Sequence, residues 1–139
     1  MIKAETKIRV RYGETDRMGY AYHGVYAQYF EIGRVDAMRT LGFSYREVEE
    51  KGIMMPVVDL SISYRKPAFY DDELTLVTVI RQRPGPVRLI FDYECYNAER
   101  VLISTGQVTL VTVNKTSGRI CRLPDWFEVA LDAFYPRHA

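Results

Sequence analysis

The chain has 139 residues, 47% of them hydrophobic and 27% charged, with a formal net charge of +1. That length fits one domain with one real core, and the near-neutral balance offers no basic face for nucleic acid. No apolar run approaches the ~20 residues that cross a bilayer, and Met1 to Lys7 lacks the apolar core of an export signal, so a soluble cytoplasmic protein with no membrane partner is expected.

In chain order, Lys7 to Tyr12 alternates charged and apolar side chains, the period of a half-buried strand. The segment that follows, Tyr12 to Tyr26 (YGETDRMGYAYHGVY), is the densest in groups able to do chemistry. It carries Glu14, Asp16 and His23; the other histidine is His138. Apolar residues then recur at helical spacing (Tyr26, Tyr29, Phe30, Gly33, Ala37, Leu41), predicting a helix from about Gly24 to Leu41 that stops at Gly42. Ser44 and Glu47 have capping-box spacing for a second short helix closed by Gly52.

From Ile53 onward the pattern is β. Strands are predicted over Val57–Tyr64, Leu74–Ile80, Leu89–Tyr96 and Val101–Val113. They are separated by Asp71-Asp72, by Arg83-Pro84-Gly85-Pro86 and by the loop Asn97 to Arg100. Gly106 inside the last strand marks a bulge or a close backbone approach. Cys95 alternates with Phe91 and Tyr93, the setting of a buried free thiol. Two cysteines and two histidines are too few for a structural zinc site, so no metal is expected. Asp125-Trp126-Phe127 opens a last helix.

One strand, one long helix and four consecutive strands define an α+β fold, an antiparallel sheet wrapped around a central helix. Gly33 and Ala37 let the sheet come close. Thr75, Thr78, Thr105, Thr109 and Thr112 are read as the partly polar outer sheet face, which a second subunit covers.

The segment and this architecture together resemble the hotdog-fold acyl-CoA thioesterases of the 4-hydroxybenzoyl-CoA thioesterase type. The family pattern of an aromatic, an acid, Thr/Cys-Asp, a glycine and a helix-opening tyrosine stands here as Tyr12-Gly13-Glu14-Thr15-Asp16 through Gly19 and His23 to Tyr26. It continues in Tyr29-Phe30-Glu31-Ile32-Gly33-Arg34, and Tyr64-Arg65-Lys66-Pro67-Ala68-Phe69-Tyr70-Asp71-Asp72 is similar to the family's strand-ending motif. Two positions depart. Glu14 stands where aspartate is commoner, and Tyr20 stands where a small, aliphatic or histidine residue is usual. The resemblance covers about residues 7–114 and implies a single hotdog thioesterase domain over 1–139, with 115–139 as a C-terminal extension.

It further implies that Asp16 is the catalytic carboxylate and that the helix start at His23 supplies a backbone N–H to the thioester carbonyl. The His23 ring orients substrate or water. Tyr12, Gly24, Val25 and Lys66 are implied substrate contacts, with Lys66 reaching the coenzyme A phosphates. Arg65, Arg81, Arg83 and Arg88 are other cations available for that task, since no phosphate-cradling G-x-x-x-x-G-K-S/T loop is present. The family uses no cofactor and assembles as dimers or tetramers.

The chemistry stands beside the resemblance. A thioester leaves as a thiolate of a thiol with pKa near ~8.5, so no strong general acid is required. An aspartate is positioned either to attack the carbonyl, giving an anhydride, or to activate water. A helix N-terminus stabilises the oxyanion. The bland roles are a turn residue for Asp16, packing for Tyr12, a solvated strand-end charge for Glu14, and an ion pair between Glu31 and Arg34. Two other functions fit less well: a module that binds acyl-CoA or acyl-carrier protein without turnover, and a hotdog enoyl-CoA hydratase. The hydratase wants an Asp/His pair in a different sequence setting.

Overall fold

The structure, a computed structural model, describes residues 1–137; His138 lies outside the described residues. Strand β1 spans Ile2–Arg9, beginning earlier than the Lys7 alternation predicted, because Ile2 to Thr6 pair in register with the strand Glu73–Ile80, β4. It also ends earlier. Tyr12 belongs to a one-turn 3₁₀ helix, Tyr12–Glu14, in which the Arg11 backbone N–H donates to the Glu14 carboxylate.

The long helix α1 covers Val25–Arg39, with Gly24 at its N-cap. Thr40 and Leu41 form a looser final turn, and Gly42 stops it at φ +96°. Ser44 and Glu47 make the reciprocal capping bonds of the short helix α2, Tyr45–Glu50. The remaining elements are β2 (Ile53–Met54), β3 (Val57–Tyr64), β5 (Arg88–Tyr96), β6 (Leu102–Val111), β7 (Val113–Asn114) and α3 (Asp125–Leu131). The predicted strand over Val101–Val113 is thus two strands, because Val113 leaves β6 to pair with Met54.

The main sheet is antiparallel in the order β1-β4-β5-β6-β3. Its concave face holds α1. From the helix come Tyr26, Tyr29, Phe30, Ala37 and Met38; from the sheet come Leu74, Leu76, Leu89, Phe91 and Tyr93, all buried. Phe30 stacks flat on Tyr93 with centroids 4.1 Å apart. The backbones approach closely at two glycines. A Cβ on Gly106 would sit 2.6 Å from Phe30 Cζ, and one on Gly33 would overlap Thr78 Oγ1. Gly106 therefore marks a close approach; the β5–β6 register shift falls instead at Cys95/Tyr96. Thr78, expected on the outer face, points at the helix and is buried. Cys95 is buried, and burial pushes its thiol up to about 11.

The C-terminal segment completes the core. Leu123, Phe127, Leu131 and Tyr135 are buried in it. The Tyr135 hydroxyl accepts from the Ile2 N–H at 2.8 Å and donates to the Ile80 carbonyl at 2.6 Å. Arg83 sits in the β4–β5 connection with its side chain 3% exposed, pairing with Glu128 at 2.7 Å and Asp132 at 3.0 Å on the α3 segment. It is committed to holding α3, so it is withdrawn from the cations available to a phosphate.

Candidate active site

Two chain connections meet at the N-terminal end of α1: residues 10–24 from β1, and residues 65–72 leaving β3. Their junction is hydrogen-bonded backbone to backbone. The Val10 N–H donates to the Asp72 carbonyl and the Asp71 N–H to the Val10 carbonyl. The Ala21 N–H donates to Ala68 O at 2.7 Å. The Tyr-Asp-Asp end of the strand motif thus fastens the loop.

Glu14 is the loop's internal anchor. It was expected as a solvated charge, but its side chain is only 11% exposed. Its Oε1 accepts from the Tyr29 hydroxyl at 2.9 Å and from the Arg11 N–H at 2.8 Å, while Oε2 faces the Arg11 guanidinium at 3.1 Å. The reason is Tyr29, buried on α1, whose hydroxyl needs an acceptor at that depth. Burial alone would push the Glu14 carboxyl up. The Arg11 N–H, the Tyr29 hydroxyl and the Arg11 guanidinium outweigh it and hold the carboxyl below the usual range.

Asp16 opens a tight turn. The Gly19 N–H donates to its carbonyl at 2.9 Å, and its own N–H donates to Tyr20 O at 2.8 Å. The carboxylate Oδ1 accepts from the N–H groups of Met18 at 2.9 Å and Tyr20 at 3.1 Å, the local bonding that suits aspartate to turns. Among the described residues, Oδ2 accepts no hydrogen bond. One oxygen fixes the side chain and the other remains available. A turn-forming role and a free oxygen therefore coexist in one carboxylate.

His23 lies just before α1, its ring tilted against Tyr22 at 4.2 Å. The Val25 N–H is taken by the Tyr22 carbonyl. Among the described residues, the N–H groups of His23 and Gly24 have no acceptor, leaving free donors at the positive end of the helix. Asp16 and His23 line one open cavity of about 280 Å³ together with Tyr20, Tyr26, Tyr64 and Lys66.

The structure thus brings together Asp16, His23 and Lys66. It does not bring in Tyr12, which is 78% exposed and meets Tyr70 edge-on rather than packing. Gly24 and Val25 line a separate cleft of about 640 Å³ beside Glu14 and Arg11. That cleft is larger, but its acid, Glu14, already has a partner on each oxygen. Arg81 pairs with Asp92 at 3.4 Å on the outer sheet face, in a surface cavity that Arg88 also lines and that Asp16 does not. The expected Glu31–Arg34 pair does not form; Arg34 turns to the buried Tyr93 hydroxyl, 3.5 Å away. The sequence pattern assigns Tyr64 no role. Its hydroxyl donates to the His23 carbonyl at 2.7 Å, a contact that only the pairing of β3 with β6 makes.

An antiparallel sheet curled around one helix, with an acid-bearing turn at that helix's N-terminus, defines a hotdog-fold enzyme. The model of the thioesterase-like superfamily matches residues 10–131, and the chain belongs to that superfamily as a thioester hydrolase. The DHNA-CoA thioesterase from Staphylococcus aureus is 37% identical in sequence and superimposes with a TM-score of 0.86, covering 96% of this chain and 95% of that one. YneP of Bacillus subtilis is 35% identical over 127 residues, 88% of this chain and 91% of its own. The acyl-CoA thioester hydrolase YbgC of Escherichia coli is 30% identical over 117 residues, 84% and 87% of the two chains.

Proposed function

We propose that this thioesterase hydrolyses an acyl-CoA to the free acid and coenzyme A, with the Oδ2 of Asp16 as the reacting oxygen. The observation that carries the reading is the division within that carboxylate: among the described residues Oδ1 is held by two backbone donors and Oδ2 by none, in the same cavity as His23. A thioester carbonyl placed against the free N–H of His23 has its oxygen polarised and its carbon open to attack. Oδ2 then either adds to that carbon or takes a proton from an attacking water. Both routes pass through an oxyanion that the helix end stabilises, a contribution of about 3–4 kcal/mol per well-placed donor. Collapse of that oxyanion expels the thiolate, and in the first route water then cleaves the acyl-aspartyl anhydride to the free acid and regenerates Asp16. His23 contributes its backbone first and its exposed ring second. Lys66 and Arg65, which line the same cavity, are read as the cations for coenzyme A phosphates.

The acyl group is read as aromatic. Tyr20 and Tyr64 line the cavity, Tyr20 backed edge-on by Phe69 at 5.5 Å and Tyr64 by the buried Tyr26 at 5.3 Å, and the similar Staphylococcus aureus enzyme acts on DHNA-CoA. Flat rings match such walls by edge and offset stacking. Thiol release from DHNA-CoA, benzoyl-CoA and a series of straight-chain acyl-CoAs tests this. The expected result is kcat/KM at least ~10-fold higher for the aryl substrates. Faster turnover of long aliphatic chains would reject the aromatic assignment, and binding without turnover across the series would reject hydrolysis.

The working unit is read as a dimer, built edge to edge at β3. Among the described residues strand β3 pairs only with β6, and its Val57, Val58, Leu60 and Tyr64 are all about half exposed. The other edge, β1, carries Lys3, Glu5, Lys7 and Arg9, the charges that discourage pairing. A second copy placed antiparallel on β3 satisfies its open backbone groups and covers its apolar side chains.

A further inference from the structure

We infer that Tyr64 is a positioning residue for the oxyanion donors, acting through the His23 carbonyl; the inference rests on the hydrolytic reading above. Among the described residues no backbone N–H reaches the His23 carbonyl, because α1 begins two residues later at Val25. The Tyr64 hydroxyl takes that place at 2.7 Å. Its ring is steadied edge-on by Tyr26 at 5.3 Å, and Tyr26 is itself 2% exposed. The donor therefore comes from the end of β3, across the cavity, and not from the helix or its own loop.

Two consequences follow for the helix end. The bond fixes the residue whose N–H is the first free donor. It also draws charge along the His23–Gly24 peptide, whose N–H belongs to the residue lining the neighbouring cleft, since hydrogen bonds in series strengthen one another. A free N–H that is not anchored would relax onto water or rotate away; here its residue is held from the carbonyl side. Burial and the nearby Tyr22 raise the Tyr64 phenol above its usual range, so the proton needed for donation stays in place at neutral pH. Tyr64 also ends the β3 edge. The strand that presents an open edge to a second copy is the strand that sets the oxyanion donors.

Tyr64→Phe keeps the ring and removes only the donor. With DHNA-CoA and benzoyl-CoA as probes, kcat is expected to fall about 10-fold, or ~1.4 kcal/mol, with KM changed less than about twofold and an unaltered circular dichroism spectrum. The carbonyl stretch of benzoyl-CoA bound to Asp16→Asn gives the second readout. It is expected to lie below its value in water and to move back toward it in Asp16→Asn/Tyr64→Phe. Replacement of Tyr64 by 3,5-difluorotyrosine, nearly isosteric and more acidic, is expected to bring the alkaline fall of kcat toward neutral pH. A kcat within about twofold of wild type in a folded Tyr64→Phe protein overturns the inference, as does a rise in KM alone. If Asp16→Asn is inactive while Tyr64→Phe is not, only the Tyr64 role is lost; if Asp16→Asn is fully active, the hydrolytic reading fails with it.

Discussion

At the scale of residues, the site is two carboxylates two positions apart that do opposite things. Glu14 has donors on both oxygens, and Asp16 has them on one. The difference fixes their pH behaviour and their tolerance to substitution. Glu14 has a depressed folded pKa, so its contribution is complete above the unfolded carboxylate value of about 4.3 and is lost as pH falls through the lower folded value. Glu14→Gln should therefore lower the melting temperature at pH 7, and the gap to wild type should close below about pH 4. A gap that widens in acid would contradict the anchoring role. Tyr29 ties this anchor to α1, and its own hydroxyl is pushed upward by burial and by the Glu14 carboxylate. The sequence showed both acids and their spacing. It did not show which was engaged, because the deciding partner, Tyr29, lies a helical turn inside α1 and is joined to Glu14 only by the fold.

At the scale of elements, the helix and sheet are held at a distance that two glycines allow. Phe30 fills the space over Gly106 while stacking on Tyr93, so the ring has nowhere to retreat. Gly106→Ala should cost about 1–3 kcal/mol by overpacking, read as a lower denaturation midpoint with an unchanged slope. No loss of stability would mean that the sheet moves freely against α1. The periodicities of α1 and of the strands were legible because each buries one face. Strand ends were less so. The start of β1 was hidden because Ala4 and Thr6 are weak apolar signals, and the break between β6 and β7 depends on pairing with Ile53–Met54, far away in sequence. Arg83 reads as one more surface cation until α3 folds back over it.

At the scale of the whole molecule, the proposed site lies where β3, its exit loop and the segment before α1 converge. The open edge of β3 leads there too. Light scattering at micromolar concentration is expected to give at least a dimer, and Leu60→Lys, which puts a charge on the half-exposed edge, is expected to give monomers. A monomeric wild-type protein would detach the site from any shared interface. The motif order along the chain revealed the fold family because the same loop, helix and strand end must meet for the site to exist. The cavity's aromatic walls were visible only as a surplus of tyrosines.

The central claim is that a single oxygen of Asp16 carries the reaction. Asp16→Asn tests it most directly, since the amide oxygen still accepts the Met18 and Tyr20 N–H groups that shape the turn and only the free Oδ2 is replaced. Steady-state thiol release from DHNA-CoA should show kcat reduced at least ~100-fold, about 2.7 kcal/mol of barrier, in a protein with wild-type melting temperature. Turnover within about threefold of wild type in that folded variant would contradict the account.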